Sequence, residues 1–182
     1  MPNPPSAELV KPVPLDVPVA IPLLLQDDDG AIAAVAVQDV PAAVATAERV
    51  RVVEIIADAV GERTTVVSAV CCEGSLEAID HARAAQRAGA SAILLMPPHH
   101  WLRFGRTAET AVGFVRDVAE GAAMPIIVHQ YPSWTKASYT LEELLAIVQI
   151  PAVVSLKIGT RDLARLGHDY RVLKEAAPRV TH

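Results

Sequence analysis

From residue 42 onward the chain alternates short runs that are apolar at nearly every position with longer segments whose apolar residues recur every three to four positions. The runs "TTVVSAV" (64–70), "SAILLM" (91–96), "PIIVHQ" (125–130) and "AVVSLK" (152–157) predict strands. Continuous apolarity without alternation is the pattern of strands buried on both faces of a parallel sheet. Between them, "AERVRVVEIIADAV" sets Val52, Ile56 and Ala59 on one helical face and stops at Gly61. "SLEAIDHARAAQRA" starts behind Ser75 and stops at Gly89, a Ser start and a Gly stop. "TAETAVGFVRDVAEG" predicts a third helix, and "TLEELLAIV" a fourth, with Thr140 and Glu143 at capping-box spacing. "DLARLGHDYRVLKEAA" predicts a helix after the last strand.

Strand starts recur about every thirty residues, the length of one βα repeat. Such repetition builds either a closed eight-stranded barrel or an open doubly wound sheet. No Gly-rich phosphate turn follows any strand, which weighs against the nucleotide-binding form of the open sheet. At the front, "VPVAIPLLL" (17–25) predicts a first strand. Only "QDDDGAIAAVAVQDVP" separates it from a helix near Ala42, too little for a full helix plus a second strand. A barrel takes about 250 residues, so 182 residues read as about five to six βα units of a (β/α)8 TIM-barrel type α/β fold, incomplete, with parallel strands. Residues 1–16 read as a Pro-rich tail and 17–182 as one partial barrel domain.

Composition narrows the partners. A chain that is 52% hydrophobic and 20% charged has the make-up of a folded protein. A formal net charge of -5, without a Lys/Arg-rich block, predicts no nucleic-acid or membrane-surface partner. The tail lacks the basic start and apolar centre of a signal peptide, and Cys71 and Cys72 are adjacent and cannot staple distant segments, so a cytoplasmic location is expected.

In βα folds the reactive groups gather where strands end. Those positions hold Cys71, Cys72 and Glu73, then His99 and His100, then His129, Gln130 and Tyr131, and finally Lys157. Three of the four lysines fall in the tail, a loop and a helix; Lys157 alone ends a buried strand. Desolvation lowers a lysine's pKa and leaves an amine able to attack a ketone and form a Schiff base. From position alone, a lysine that reaches solvent or pairs with Asp162 explains the same placement.

The segments "ERVRVVEIIADAV", "GSLEAIDHARAAQRAGASAILLMPPHH", "MPIIVHQYPSWT" and "AVVSLKIGTRD" resemble, in this order, the dihydrodipicolinate synthase and N-acetylneuraminate lyase family, over about residues 44 to 178. The resemblance implies a class I aldolase or lyase on a (β/α)8 barrel, usually oligomeric, with Lys157 as the Schiff-base lysine for pyruvate or a related 2-oxo acid. It places His129 where the family has a proton-relaying tyrosine, with Tyr131 on the same strand parity, so both are candidates for proton transfer. Gln130 and His100 follow as candidate substrate-binding residues, and Arg161 either faces the substrate or pairs with Asp162. Trp134 stands where the synthase branch has an arginine for the carboxylate of aspartate semialdehyde. A tryptophan makes no bidentate carboxylate contact, so an altered aldehyde partner is expected. Counting back from Glu48, the family's Gly-x-x-Gly-Glu turn falls on "VQDV" (37–40), which has neither glycine nor hydroxyl to cradle a carboxylate.

No organic cofactor and no metal are expected. The partners expected are a 2-oxo acid, possibly an aldehyde, and a second copy of the chain. Two other readings stand beside the aldolase: an inactive homologue or barrel fragment that self-associates, and a metal-dependent aldolase using His99, His100, His129 and the Cys pair. The spacing of those ligands fits a tetrahedral site poorly.

Overall fold

The computed structural model describes residues 21–26, 32–38 and 46–180, with side chains described from residue 47 onward except those of Ser133 and Trp134. Six strands, β1 (Ile21–Gln26), β2 (Ile32–Gln38), β3 (Thr65–Val70), β4 (Ala92–Leu95), β5 (Ile126–Gln130) and β6 (Val153–Ile158), form one sheet in sequential order. Five long helices connect or follow them: α1 (Thr46–Val60), α2 (Ser75–Arg87), α4 (Ala108–Ala122), α6 (Leu141–Ile147) and α7 (Leu163–Ala176). The single turns α3 (Trp101–Phe104) and α5 (Pro132–Thr135) sit after β4 and β5.

From β2 to β6 every neighbouring pair is parallel, and each strand adds beside its predecessor without reversal. A doubly wound sheet reverses its strand order partway. A sheet that never reverses is a sector of a barrel wall. The first pair differs: β1 and β2 are antiparallel, with Ile21 opposite Gln38. A parallel connection needs a crossover of a dozen residues or more, and only five separate Gln26 from Ile32. The spacing that leaves no room for a helix thus produces a hairpin, and a second strand forms with no helix before it.

One face of the sheet is covered by helices. Ile93, Leu95, Ile126, Val128, Val153 and Leu156 join Phe114, Val115 and Val118 of α4 and Leu144 and Ile147 of α6 in the main core. Full burial of each such Ile or Leu contributes about 1.5–3 kcal/mol. The alternate residues Val67, Ala92, Leu94 and Met96 form a separate cluster, packed against Ala69 and Ile127. α2 and α4 touch closely because Gly121 has no Cβ where one would overlap Ile79, and Arg83 Nε donates to the Gly121 carbonyl at 2.9 Å.

The helix starts follow their caps. Thr140 and Glu143 complete the expected capping box, and Asp162 caps α7 by accepting from Arg165 N at 3.0 Å. At α2 the N-cap is Gly74; Ser75 is the first helical residue and makes no side-chain cap, so the helix starts one residue earlier than a serine cap requires. No helix among the described residues is long and apolar enough to cross a membrane.

Candidate functional site

The parallel strands β3 to β6 all end on one edge of the sheet, and the polar strand-end residues collect there. Which face each occupies depends on a local irregularity. Ile126 and Ile127 are adjacent on β5, yet they pair with Val153 and Ser155, so Val154 is an extra residue in β6. Side chains alternate faces along a strand, so one inserted residue inverts everything after it. Beyond the bulge Leu156 joins the helix-covered core and Lys157 lies directly across from His129 on the other face. Were Val154 paired regularly with Ile127 instead, Lys157 would fall opposite Gln130 and point among the helices. Strands are spaced about 4.8 Å apart, which brings the backbones of His129 and Lys157 within side-chain reach.

His129 is 4% exposed, and neither ring nitrogen has a hydrogen-bond partner among the described residues. Burial, and then the charge of Lys157, push its pKa down from 6.5 to about 4. The imidazole is therefore neutral at pH 7, with one nitrogen able to accept a proton. Tyr131 shares the parity of His129, and the two rings meet edge to face at 6.0 Å. Lys157 is partly buried.

Gly159, the next residue of Lys157's parity, supplies the floor for Tyr131. A Cβ there would lie 2.7 Å from Tyr131 Cγ, and Gly159 N donates to the Gln130 carbonyl at 2.8 Å. Gly159→Ala is expected to displace the tyrosine ring and cost about 1–3 kcal/mol of overpacking, read as a lowered urea midpoint. An unchanged midpoint would show that the ring has room to move.

The other predicted residues part company with this trio. Gln130 faces the helix side, where its Nε2 donates to the Tyr139 carbonyl at 2.6 Å and its Oε1 accepts from Tyr139 N at 3.0 Å. Both ends of the amide hold backbone, so its part is to fix the loop after β5 rather than to meet a ligand. His100 is anchored by Glu73, whose Oε2 accepts from the His100 backbone N and from Nδ1, each at 2.8 Å. Desolvation pushes the Glu73 carboxyl up, and the His100 hydrogen bonds outweigh it, leaving its pKa below the ordinary carboxylate value. Arg161 is exposed, and Asp162 spends a carboxylate oxygen on the α7 cap. The side chain of Trp134 and the "VQDV" stretch beyond Gln38 lie outside the described residues. His99 is exposed.

Sequence reasoning missed Gly159 and the Glu73 to His100 tie. The signal for the glycine was its spacing: two residues after Lys157 it must share that face.

The dihydrodipicolinate synthetase family matches residues 41–181. A 4-hydroxy-tetrahydrodipicolinate synthase of Sphingopyxis alaskensis is 30% identical over 120 residues, covering 65% of this chain and 40% of that protein. One from Laribacter hongkongensis is 29% identical over 141 residues, covering 78% of this chain and 47% of that protein. Among solved structures, the chloride-inhibited dihydrodipicolinate synthase of Acinetobacter baumannii in complex with pyruvate superposes with a TM-score of 0.68 at 23% identity, covering 74% of this chain and 45% of that one. YagE, a prophage protein of that family from E. coli K12, also in complex with pyruvate, superposes with a TM-score of 0.69 at 21% identity, covering 76% and 46%. These likenesses agree with the barrel sector read from the strand order. The chain spans about half the length of the curated relatives it matches.

Proposed function

The chain belongs to the dihydrodipicolinate synthetase family, and on that premise we propose that it acts as a class I aldolase or lyase on a 2-oxo acid such as pyruvate. The observation that carries this is the pairing of Lys157 with a buried, neutral His129 across β5 and β6. The presence of pyruvate in complexes of two structural relatives supports the choice of substrate class.

In this reading the Lys157 ammonium first gives up a proton to solvent, and the amine's electron pair then attacks the ketone carbon and forms the C–N bond. The carbonyl oxygen takes a proton and becomes the hydroxyl of a carbinolamine. Loss of the amine proton and of the protonated hydroxyl as water gives the iminium. The iminium withdraws electrons from the adjacent carbon, so a C–C bond there can break or form. His129 is the acceptor and return donor of these protons. Tyr131, held on Gly159, orients the imidazole edge and offers its own hydroxyl. Trp134 at the position of the family's carboxylate-binding arginine favours an aldehyde partner without a carboxylate, and so an activity other than that of the lysine-pathway synthase.

The test is reduction in place. Incubation with pyruvate and cyanoborohydride is expected to leave one stable adduct on Lys157, located by peptide mass spectrometry. A second reading, a catalytically silent homologue, is favoured by the lack of glycine and hydroxyl in "VQDV". It predicts an unmodified lysine at saturating pyruvate, and that result would overturn the proposal. Adduct formation that survives chelation would dispose of a metal-dependent aldolase.

A further inference from the structure

The turn after β3 and the first two turns of α2 bring together three side chains that the lyase reading does not use. Cys72 is buried at 4% exposure and belongs to the helix-covered core. Glu77 and His81 stand four residues apart on α2, so they share one helical face. Their candidate donor atoms, Cys72 Sγ, a Glu77 carboxylate oxygen and a His81 ring nitrogen, all lie within 4.8 Å of one another. Cys72 Sγ is 3.3 Å from His81 Nδ1.

That separation is close to the edge of a metal tetrahedron. With Zn–S of about 2.3 Å and Zn–N of about 2.0–2.1 Å, sulfur and nitrogen sit about 3.5 Å apart. Glu77 is exposed, and its rotatable carboxylate can close the remaining distance. The donor chemistry selects the ion: a thiolate with an imidazole and a carboxylate suits zinc or cobalt, whereas magnesium and calcium take oxygen donors.

A cysteine beside a histidine also suggests a nucleophile, and the surroundings argue against it. Burial, then the carboxylate of Glu77, push the Cys72 thiol up to about 12, with Arg49 opposing. An inert thiol facing a carboxylate is a poor nucleophile, but a dication between them reverses that balance.

We propose that Cys72, Glu77 and His81 bind one zinc-class divalent cation, with water in the fourth position, as a structural cross-link between the end of β3 and α2. Binding replaces the thiol S–H bond by a sulfur–metal bond and releases one proton to solvent. The site lies on the helix side of the sheet, on the opposite face from Lys157, and does not depend on the lyase reading.

The full chain, stripped of metal, is titrated with cobalt(II) and followed by its thiolate-to-metal charge-transfer band in the near ultraviolet. One equivalent is expected to saturate the band, and zinc is expected to displace the cobalt. Cys72→Ser should abolish the band, His81→Leu should weaken binding at least about tenfold, and Cys71→Ser should leave it unchanged. Glu77→Gln, at an exposed position, should also weaken binding and decides the matter if Cys72→Ser does not fold. A wild-type chain without a saturable one-equivalent band overturns the proposal. So does a band that persists in Cys72→Ser or disappears in Cys71→Ser.

Discussion

Lys157→Met is expected to abolish the reducible pyruvate adduct and to lower kcat/KM for C–C bond cleavage by at least about a thousandfold, about 4 kcal/mol of barrier. Methionine matches the unbranched length of lysine and removes only the nucleophile, so the sheet around it should survive. The partly buried ammonium costs desolvation that a thioether does not, and stability should hold or rise slightly. Steady-state kinetics, adduct mass spectrometry and a urea transition on the same preparation separate loss of chemistry from loss of fold. A variant that keeps a tenth of the activity, or that is labelled at another lysine, would place the Schiff base elsewhere.

The second large effect is expected at His129, where function and stability should move in opposite directions. His129→Phe removes the proton acceptor, and kcat should fall by about 10²–10⁴-fold. It also removes two buried ring nitrogens that have no partner among the described residues, so stability at pH 7 should not drop and gains up to about 1–3 kcal/mol. The pH dependence gives a separate signature. The folded-state pKa of about 4 lies below the ordinary histidine value of 6.5, so the unfolded chain binds the proton more readily. Above pH 6.5 both states are neutral at this residue and its burial carries no protonation penalty. As the pH falls from 6.5 through 4, the unfolded state gains, and the protein should lose about 3 kcal/mol. In His129→Phe that portion of the slope should vanish. An identical slope in both proteins would mean that the histidine is not buried neutral.

Much of this fold could be read from the chain because its strands are apolar at nearly every position and its helices are amphipathic. Strands β3 to β6 and the five long helices follow from those two periods. The second strand escaped because "IAAVAVQ" is Ala-rich and placed where a crossover helix was the natural expectation. Its antiparallel partner follows from loop length rather than from any residue. The start of α2 shifted because a serine followed by a helical pattern reads as a cap, whereas Gly74 already adopts the extended cap conformation.

The site was legible by residue type and strand-end position, which brought out Lys157, His129 and Tyr131. It was not legible by face. Gln130 is as polar as its neighbours and directly adjacent to His129, yet alternation sends it to hold the Tyr139 backbone. The grouping of Cys72 with Glu77 and His81 hid for another reason: familiar ligand motifs are recognised within one element, and this one joins a strand end to a helix.

The extra residue in β6 gives this strand a phase. Lys157 meets His129 because Val154 stands outside the pairing between Val153 and Leu156. Deleting Val154 would remove the bulge and leave Ser155, Leu156 and Lys157 in their present pairings, whereas drawing Val154 into the ladder opposite Ile127 would drive the ammonium among the helices and Leu156 out of the core. The placement of the lysine is thus set by one residue held out of the pairing count rather than by the identity of any one side chain.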